Sequence, residues 1–131
     1  MVVVVQGLDV CPSRSVEAGE FGVILSPNYP DLYPNDLNCE LTLTGIGNGR
    51  SLLFQINAIH LESGFSYRRC GCYDYITFIG SVNYTEMCDL DLILRKDWMI
   101  QPRMNGTITV IFRTDSFISE RGFSITYAGM K

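Results

Sequence analysis

The sequence predicts an all-β domain, a sandwich or barrel, and three observations carry that expectation. Short runs rich in β-branched and aromatic residues alternate apolar and polar positions with period two. The breaks between these runs hold proline, glycine and asparagine. No stretch sustains a long helical period. A chain of 131 residues, 47% of them hydrophobic, suffices for one two-layer core and falls short of two ordinary domains.

Taken in chain order, Val2 to Val5 reads as a short strand or an ordered arm. Ser26-Pro27-Asn28-Tyr29-Pro30 and Tyr33-Pro34-Asn35-Asp36 place three prolines in eight residues. Proline fixes φ and donates no hydrogen bond, so this stretch is a structured loop and not a central strand. Leu41 to Leu43 and Leu52 to Ile56 are strand-like, and Gly45-Ile46-Gly47-Asn48-Gly49 between them reads as a hairpin connection. Its resemblance to a phosphate-binding glycine loop is superficial, because no helical pattern follows it. Tyr75 to Ile79 is a further strand. Asp89 to Trp98 is the one segment that could hold a helical turn or two. In Ile108 to Arg113, the residues Ile108, Val110 and Phe112 face one way and Thr109, Ile111 and Arg113 the other. In the last strand the apolar side is Phe123, Ile125 and Tyr127.

Charge and cysteine usage narrow the function. Net charge is −4, and an acidic chain lacks the basic face that nucleic-acid binding requires. No apolar run reaches the roughly 20 residues of a membrane helix. A single histidine removes most His-based catalytic and zinc schemes. Five cysteines, at 11, 39, 70, 72 and 88, include no CxxC pair, which leaves a disulfide framework as the reading. Two glycosylation sequons, Asn83-Tyr84-Thr85 and Asn105-Gly106-Thr107, agree with a secreted, extracellular setting. The segment around Val2 to Val5 lacks the features of a signal peptide, the pattern expected of a piece cut from a larger secreted protein.

The run from Gly22 through Ser26-Pro27-Asn28-Tyr29-Pro30 and Tyr33-Pro34 to Cys39 closely resembles the opening of a CUB domain. Leu53-Phe54 through His60-Leu61-Glu62 resembles that family's strand ending in Leu-Glu. Tyr73-Asp74-Tyr75-Ile76 is similar to its Tyr-Asp strand start. Ile111 to Ser116 followed by Gly122 to Tyr127 resembles its closing strands. The resemblance covers Cys11 to about Ala128, which assigns residues 11–128 to the domain, 1–10 to an N-terminal arm or short strand and 129–131 to a tail. Leu41 departs from the family, where many members carry tryptophan, as does Ile118, where the family often has asparagine.

The resemblance implies a two-sheet antiparallel β-sandwich of CUB-like jelly-roll type, held by two disulfides. One would join Cys11 to Cys39. The other would join Cys88 to Cys70 or Cys72, since the position where the family places its cysteine is Gly71. Whichever of the two is unpaired would be a buried thiol or the point of an intermolecular bridge to a second copy. The resemblance also implies calcium, held by Glu62, Asp74 and Asp115 with Tyr33 in support and the Phe117 carbonyl completing the shell. The physical case agrees: calcium takes six to eight hard oxygen ligands, and three converging carboxylates repel without a cation. In the family such a site accepts a lysine or arginine from an extracellular protein partner through a charge-assisted pair.

Two further readings stand beside this one. The first is a calcium-independent carbohydrate-binding module resembling the spermadhesins, which the intact acids disfavour. The second is a structural or dimerisation domain cut from a larger protease or receptor. An enzyme is not expected. His60-Leu61-Glu62 with Cys70-Gly71-Cys72 matches a zinc-deaminase pattern only in part, and no nucleophile-elbow sequence exists. His60, Trp98 and Met99 read as packing residues. Arg68-Arg69 reads as a solvated pair, and Trp98 and Met99 beside Met104 as a contact patch if exposed.

Overall fold

Alternating sequences bury one face per strand, and here those faces close on each other across two sheets. The structure, a computed structural model, describes residues 7–64, 71–83, 86–88 and 97–130. Val2 to Val5, Arg68-Arg69, Cys70, Thr85 and Asp89 to Lys96 lie outside the described residues. The elements are β1 (Gly7–Asp9), β2 (Arg14–Glu17), β3 (Phe21–Leu25), β4 (Asn38–Thr44), β5 (Ser51–His60), β6 (Ser63–Gly64), β7 (Gly71–Cys72), β8 (Tyr75–Ile79), β9 (Asp97–Ile100), β10 (Ile108–Arg113) and β11 (Gly122–Met130). None of the described residues is helical.

One sheet runs β1-β3-β11-β5-β9 and the other β2-β4-β10-β8, while β6 and β7 form a small ribbon. Pairing is antiparallel apart from β1 on β3 and β2 on β4, which are parallel. Between the sheets lies one core. Phe54, Phe78 and Trp98 pack at ring-centroid separations of 4.8–5.8 Å, and Phe112 meets Tyr33 and Phe123 edge-on at 5.3 and 5.0 Å. Fully burying one such side chain contributes roughly 1.5–3 kcal/mol. Trp98 is therefore core, whereas Met99 and Met104 are exposed.

Three expectations change. The Gly45–Gly49 segment does not close a hairpin: β4 pairs with β2 and β10, β5 pairs with β9 and β11, and the segment crosses from one sheet to the other. Turn residues specify a reversal of direction, not the partner of the next strand. Asp97 and Trp98 stand in an extended strand and not in a helical turn. His60 is exposed on β5, not packed inside. Its reversal has a local cause. Ser124 pairs with Ala58 and Ile125 with Ile56, so Asn57 is an extra residue in β5. Before it, Leu52, Phe54 and Ile56 point inward; after it, Ile59 and Leu61 do. The Asn57 side chain fastens this bulge by donating to Thr126 Oγ1 at 2.7 Å and Ser124 Oγ at 3.2 Å.

Both disulfides are present, Cys11–Cys39 and Cys72–Cys88, spanning 28 and 16 residues. Loops of that size correspond to roughly 3–4 kcal/mol each. Of the two candidates for Cys88, the partner is Cys72.

Candidate metal centre

The loops at one pole of the sandwich bring the acids together. This pole lies where β3, β5 and β10 end and β4, β8 and β11 begin. Leu61, fully buried, anchors the exit of β5, and Glu62 follows it. The Glu62 carbonyl accepts both the Tyr73 and Asp74 amides, at 3.2 and 3.1 Å, which fixes the start of β8 against the end of β5. Thr114 holds the exit of β10: its hydroxyl accepts from the Leu37 amide at 2.7 Å and donates to the Pro34 carbonyl at 3.1 Å. Asp115 comes next, and its carbonyl accepts the Asp36 amide at 2.8 Å. Gly122 closes the loop with φ 90°; a Cβ there would collide with the Ser26 hydroxyl.

Glu62, Asp74 and Asp115 each present a carboxylate oxygen, and the three oxygens lie within 4.8 Å of one another. Asp74 is completely buried and Glu62 is 8% exposed. Asp74 is well provided for. Its Oδ2 accepts the Tyr33 hydroxyl at 2.5 Å, and its Oδ1 accepts the Asp115 amide at 2.7 Å. Tyr33, itself buried, also accepts the Glu62 amide at 3.1 Å, so one phenol joins two of the acids. Glu62 is different: its Oε1 is buried and has no hydrogen-bond partner among the described residues.

The electrostatics follow from this burial. Glu62 is pushed up to about 7, first by desolvation, then by the hydrogen bond and charge of Asp115 and the charge of Asp74, against the Ile118 amide. Desolvation also raises Asp74, opposed by the donors from Tyr33 and Asp115. Burial, and then Asp74, pushes the Tyr33 phenol far up. Two unit charges 4.8 Å apart repel by roughly 3 kcal/mol at an effective dielectric of about 20. The cluster therefore needs either a proton or a cation. Its donors are all hard oxygens, which suits calcium and not a softer metal. The orphaned Glu62 oxygen is the atom such an ion would satisfy.

The sequence-based ligand set thus converges at one place. Phe117 belongs to the same loop, where its amide donates to Asp115 Oδ1 at 3.1 Å and its ring is exposed. Sequence reasoning missed the Thr114 clamp and the pairing of His60 Nε2 with Glu120 Oε2 at 3.0 Å. The Thr-Asp dipeptide at the end of a strand was a readable signal for the clamp. Of the residues in the partial zinc-deaminase pattern, Cys72 is in a disulfide and His60 pairs with Glu120 at the surface. Asn83 and Asn105 are exposed, and both lie at the other pole.

Comparison with known proteins agrees with this architecture. The family model for the CUB domain matches residues 11–127. A cubilin homolog of Drosophila melanogaster is 32% identical over 111 residues, covering 81% of this chain and 3% of that protein. Embryonic protein UVS.2 of Xenopus laevis is 28% identical over 110 residues, 84% of this chain and 20% of that protein. The chain therefore spans a small part of both relatives. Among solved structures, the MASP-1 CUB2 domain bound to Ca2+ superposes with a TM-score of 0.73 at 24% identity, covering 89% of this chain and 99% of that one. The extracellular region of zebrafish Gpr126/Adgrg6 superposes with a TM-score of 0.68 at 18% identity, covering 94% of this chain and 15% of that one.

Proposed function

Because this chain belongs to the CUB domain family, we propose that it is an extracellular, non-catalytic interaction module whose acidic pole holds calcium and docks a basic side chain of a protein partner. The observation that carries this reading is the buried, unpartnered Glu62 Oε1 inside a set of three carboxylate oxygens within 4.8 Å. Bound calcium would supply the positive charge that lets all three acids stay ionised together. Glu62, Asp74 and Asp115 are the ligands, Tyr33 orients two of them, and the Phe117 carbonyl belongs to the loop that would complete the shell.

The rim of the pole suits a lysine or arginine. Tyr73, Phe117 and Ile118 are well exposed there. An aromatic face attracts a cation, and a long basic side chain lays its methylene stem on apolar surface. Residual carboxylate oxygen then takes the charged head. One such contact is weak, so strong binding requires several modules acting together. The occurrence of CUB domains in proteins such as the cubilin homolog supports the extracellular setting.

Thermal melting with and without calcium tests the reading. At a calcium concentration of about 100 times Kd, linkage stabilises the fold by about 2.7 kcal/mol. The shift is expected to vanish in Asp115→Ala, and binding of a lysine-bearing partner is expected to vanish with EDTA. A wild-type melt that calcium leaves unmoved overturns the site.

A further inference from the structure

The two sequon asparagines play no part in the acidic pole, and the fold gathers them at the opposite one. Asn83 follows β8 and Asn105 precedes β10, and these strands pair there through Ile79 and Thr109. The loops touch: the Ser81 amide donates to the Gln101 carbonyl at 2.8 Å, and Arg103 Nε donates to the Gly80 carbonyl at 3.4 Å. The six residues of β10 separate this pole from Asp115, a span of roughly 20 Å at the rise of a strand.

Asn105 has the geometry of an acceptor. It is exposed on a tight turn in which the Gly106 amide donates to the Arg103 carbonyl at 2.8 Å. Gly106 has φ 70°, and a Cβ there would press on the Ile46 carbonyl, so this sequon takes glycine in its middle for a structural reason. Thr107 Oγ1 donates to Asn105 Oδ1 at 2.8 Å, which puts both recognition side chains on one side of the turn. The residue before each sequon asparagine is a strongly exposed apolar one, Met104 before Asn105 and Val82 before Asn83.

We propose that Asn105 carries an N-linked glycan, and that this glycan shields the sequon pole while leaving the acidic pole open. The donor is a lipid-diphosphate-linked oligosaccharide of the secretory pathway. Asn105 Nδ2 forms a bond to the anomeric carbon of the first sugar as that carbon's bond to diphosphate oxygen breaks. The lipid diphosphate leaves with the electron pair, and the amide nitrogen loses one proton. The division of labour between the poles rests on the calcium reading; the occupancy of Asn105 does not.

The test expresses this chain behind a heterologous secretion leader in a eukaryotic cell, followed by intact mass and peptide mapping before and after peptide-N-glycosidase treatment. The expected result is a glycan on Asn105 that is lost in Asn105→Gln and equally in Thr107→Ala. The calcium-induced shift in melting temperature is expected to be equal before and after deglycosylation. Secreted protein with oxidised Cys11–Cys39 and Cys72–Cys88 but a bare Asn105 overturns the assignment. A calcium shift that changes on deglycosylation overturns the separation of the poles. A glycan on Asn105 with no calcium shift in either form leaves the assignment standing and sinks the calcium reading alone.

Discussion

At the acidic pole the sandwich buries Asp74, Glu62 and the Tyr33 hydroxyl; toward the opposite pole it buries Phe54, Phe78 and Trp98. The same two sheets supply both ends. Aromatic rings lead to each, yet only one of the two clusters runs on to carboxylates: Phe112 holds Tyr33, and Tyr33 holds Asp74. The difference shows how a candidate site is made from a core. The aromatic end is held by ring contacts and leaves the Trp98 Nε1 donor without a partner among the described residues. The acidic end keeps one carboxylate oxygen unsatisfied, a standing cost that a ligand can relieve.

The sharpest way to break this comparison is to truncate one ring on each side. Phe112→Ala and Phe78→Ala should each cost about 3–5 kcal/mol, measured by urea denaturation, because both rings are completely buried. Their effects on calcium should diverge. Phe112→Ala removes the edge-on support of Tyr33 and should abolish or strongly weaken the calcium shift. Phe78→Ala should lower the melting temperature by a similar amount and leave the shift intact. Equal loss of the calcium response in both would mean that it reports global stability and not the site.

How much of this was legible in the sequence differs between strands and site. The period-two runs gave Tyr75–Ile79 with its observed bounds and the inward set Ile108, Val110 and Phe112, because burial on one face imposes alternation directly. The sheet change at Gly45–Gly49 was not readable, since the partner of a strand is a non-local choice. Nor was the bulge at Asn57: one inserted residue leaves no periodic mark, yet it turns His60 outward and Leu61 inward. The acidic trio was readable as a candidate site only through likeness to a family. Glu62, Asp74 and Asp115 are far apart in sequence, and only the sheets bring them within 4.8 Å. The pairing of Cys72 with Cys88 was likewise not readable, because Cys70 and Cys72 flank the expected position on either side.

A smaller effect should appear with pH. Glu62 sits at about 7, above the ordinary carboxylate range, so the calcium-free fold binds its proton more tightly than the unfolded chain does. Stability from this source is fully present below about pH 4.5 and is lost as pH rises through about 7. Calcium requires the deprotonated acid, so its stabilising effect should grow over the same interval. Melts at pH 5, 6, 7 and 8 with and without calcium should therefore diverge progressively. Glu62→Gln should flatten the calcium-free slope and remove the calcium effect. Parallel curves at every pH would show that Glu62 does not take part.

The smallest contrast compares two buried polar atoms. Tyr33→Phe removes a hydroxyl that donates to Asp74 Oδ2 and accepts the Glu62 amide. Two buried partners lose their hydrogen bond, so the substitution should cost about 1–3 kcal/mol without calcium and weaken the calcium shift. Trp98 also buries a polar atom, but its Nε1 has no acceptor among the described residues. In Trp98→Phe, relief of that unsatisfied donor offsets the lost ring volume, so the net change should stay within about 1 kcal/mol. Chemical denaturation of the two variants side by side measures the contrast. Should Trp98→Phe prove the more costly, the core at that end depends on the indole, and the acidic pole is no longer the more polar-dependent of the two.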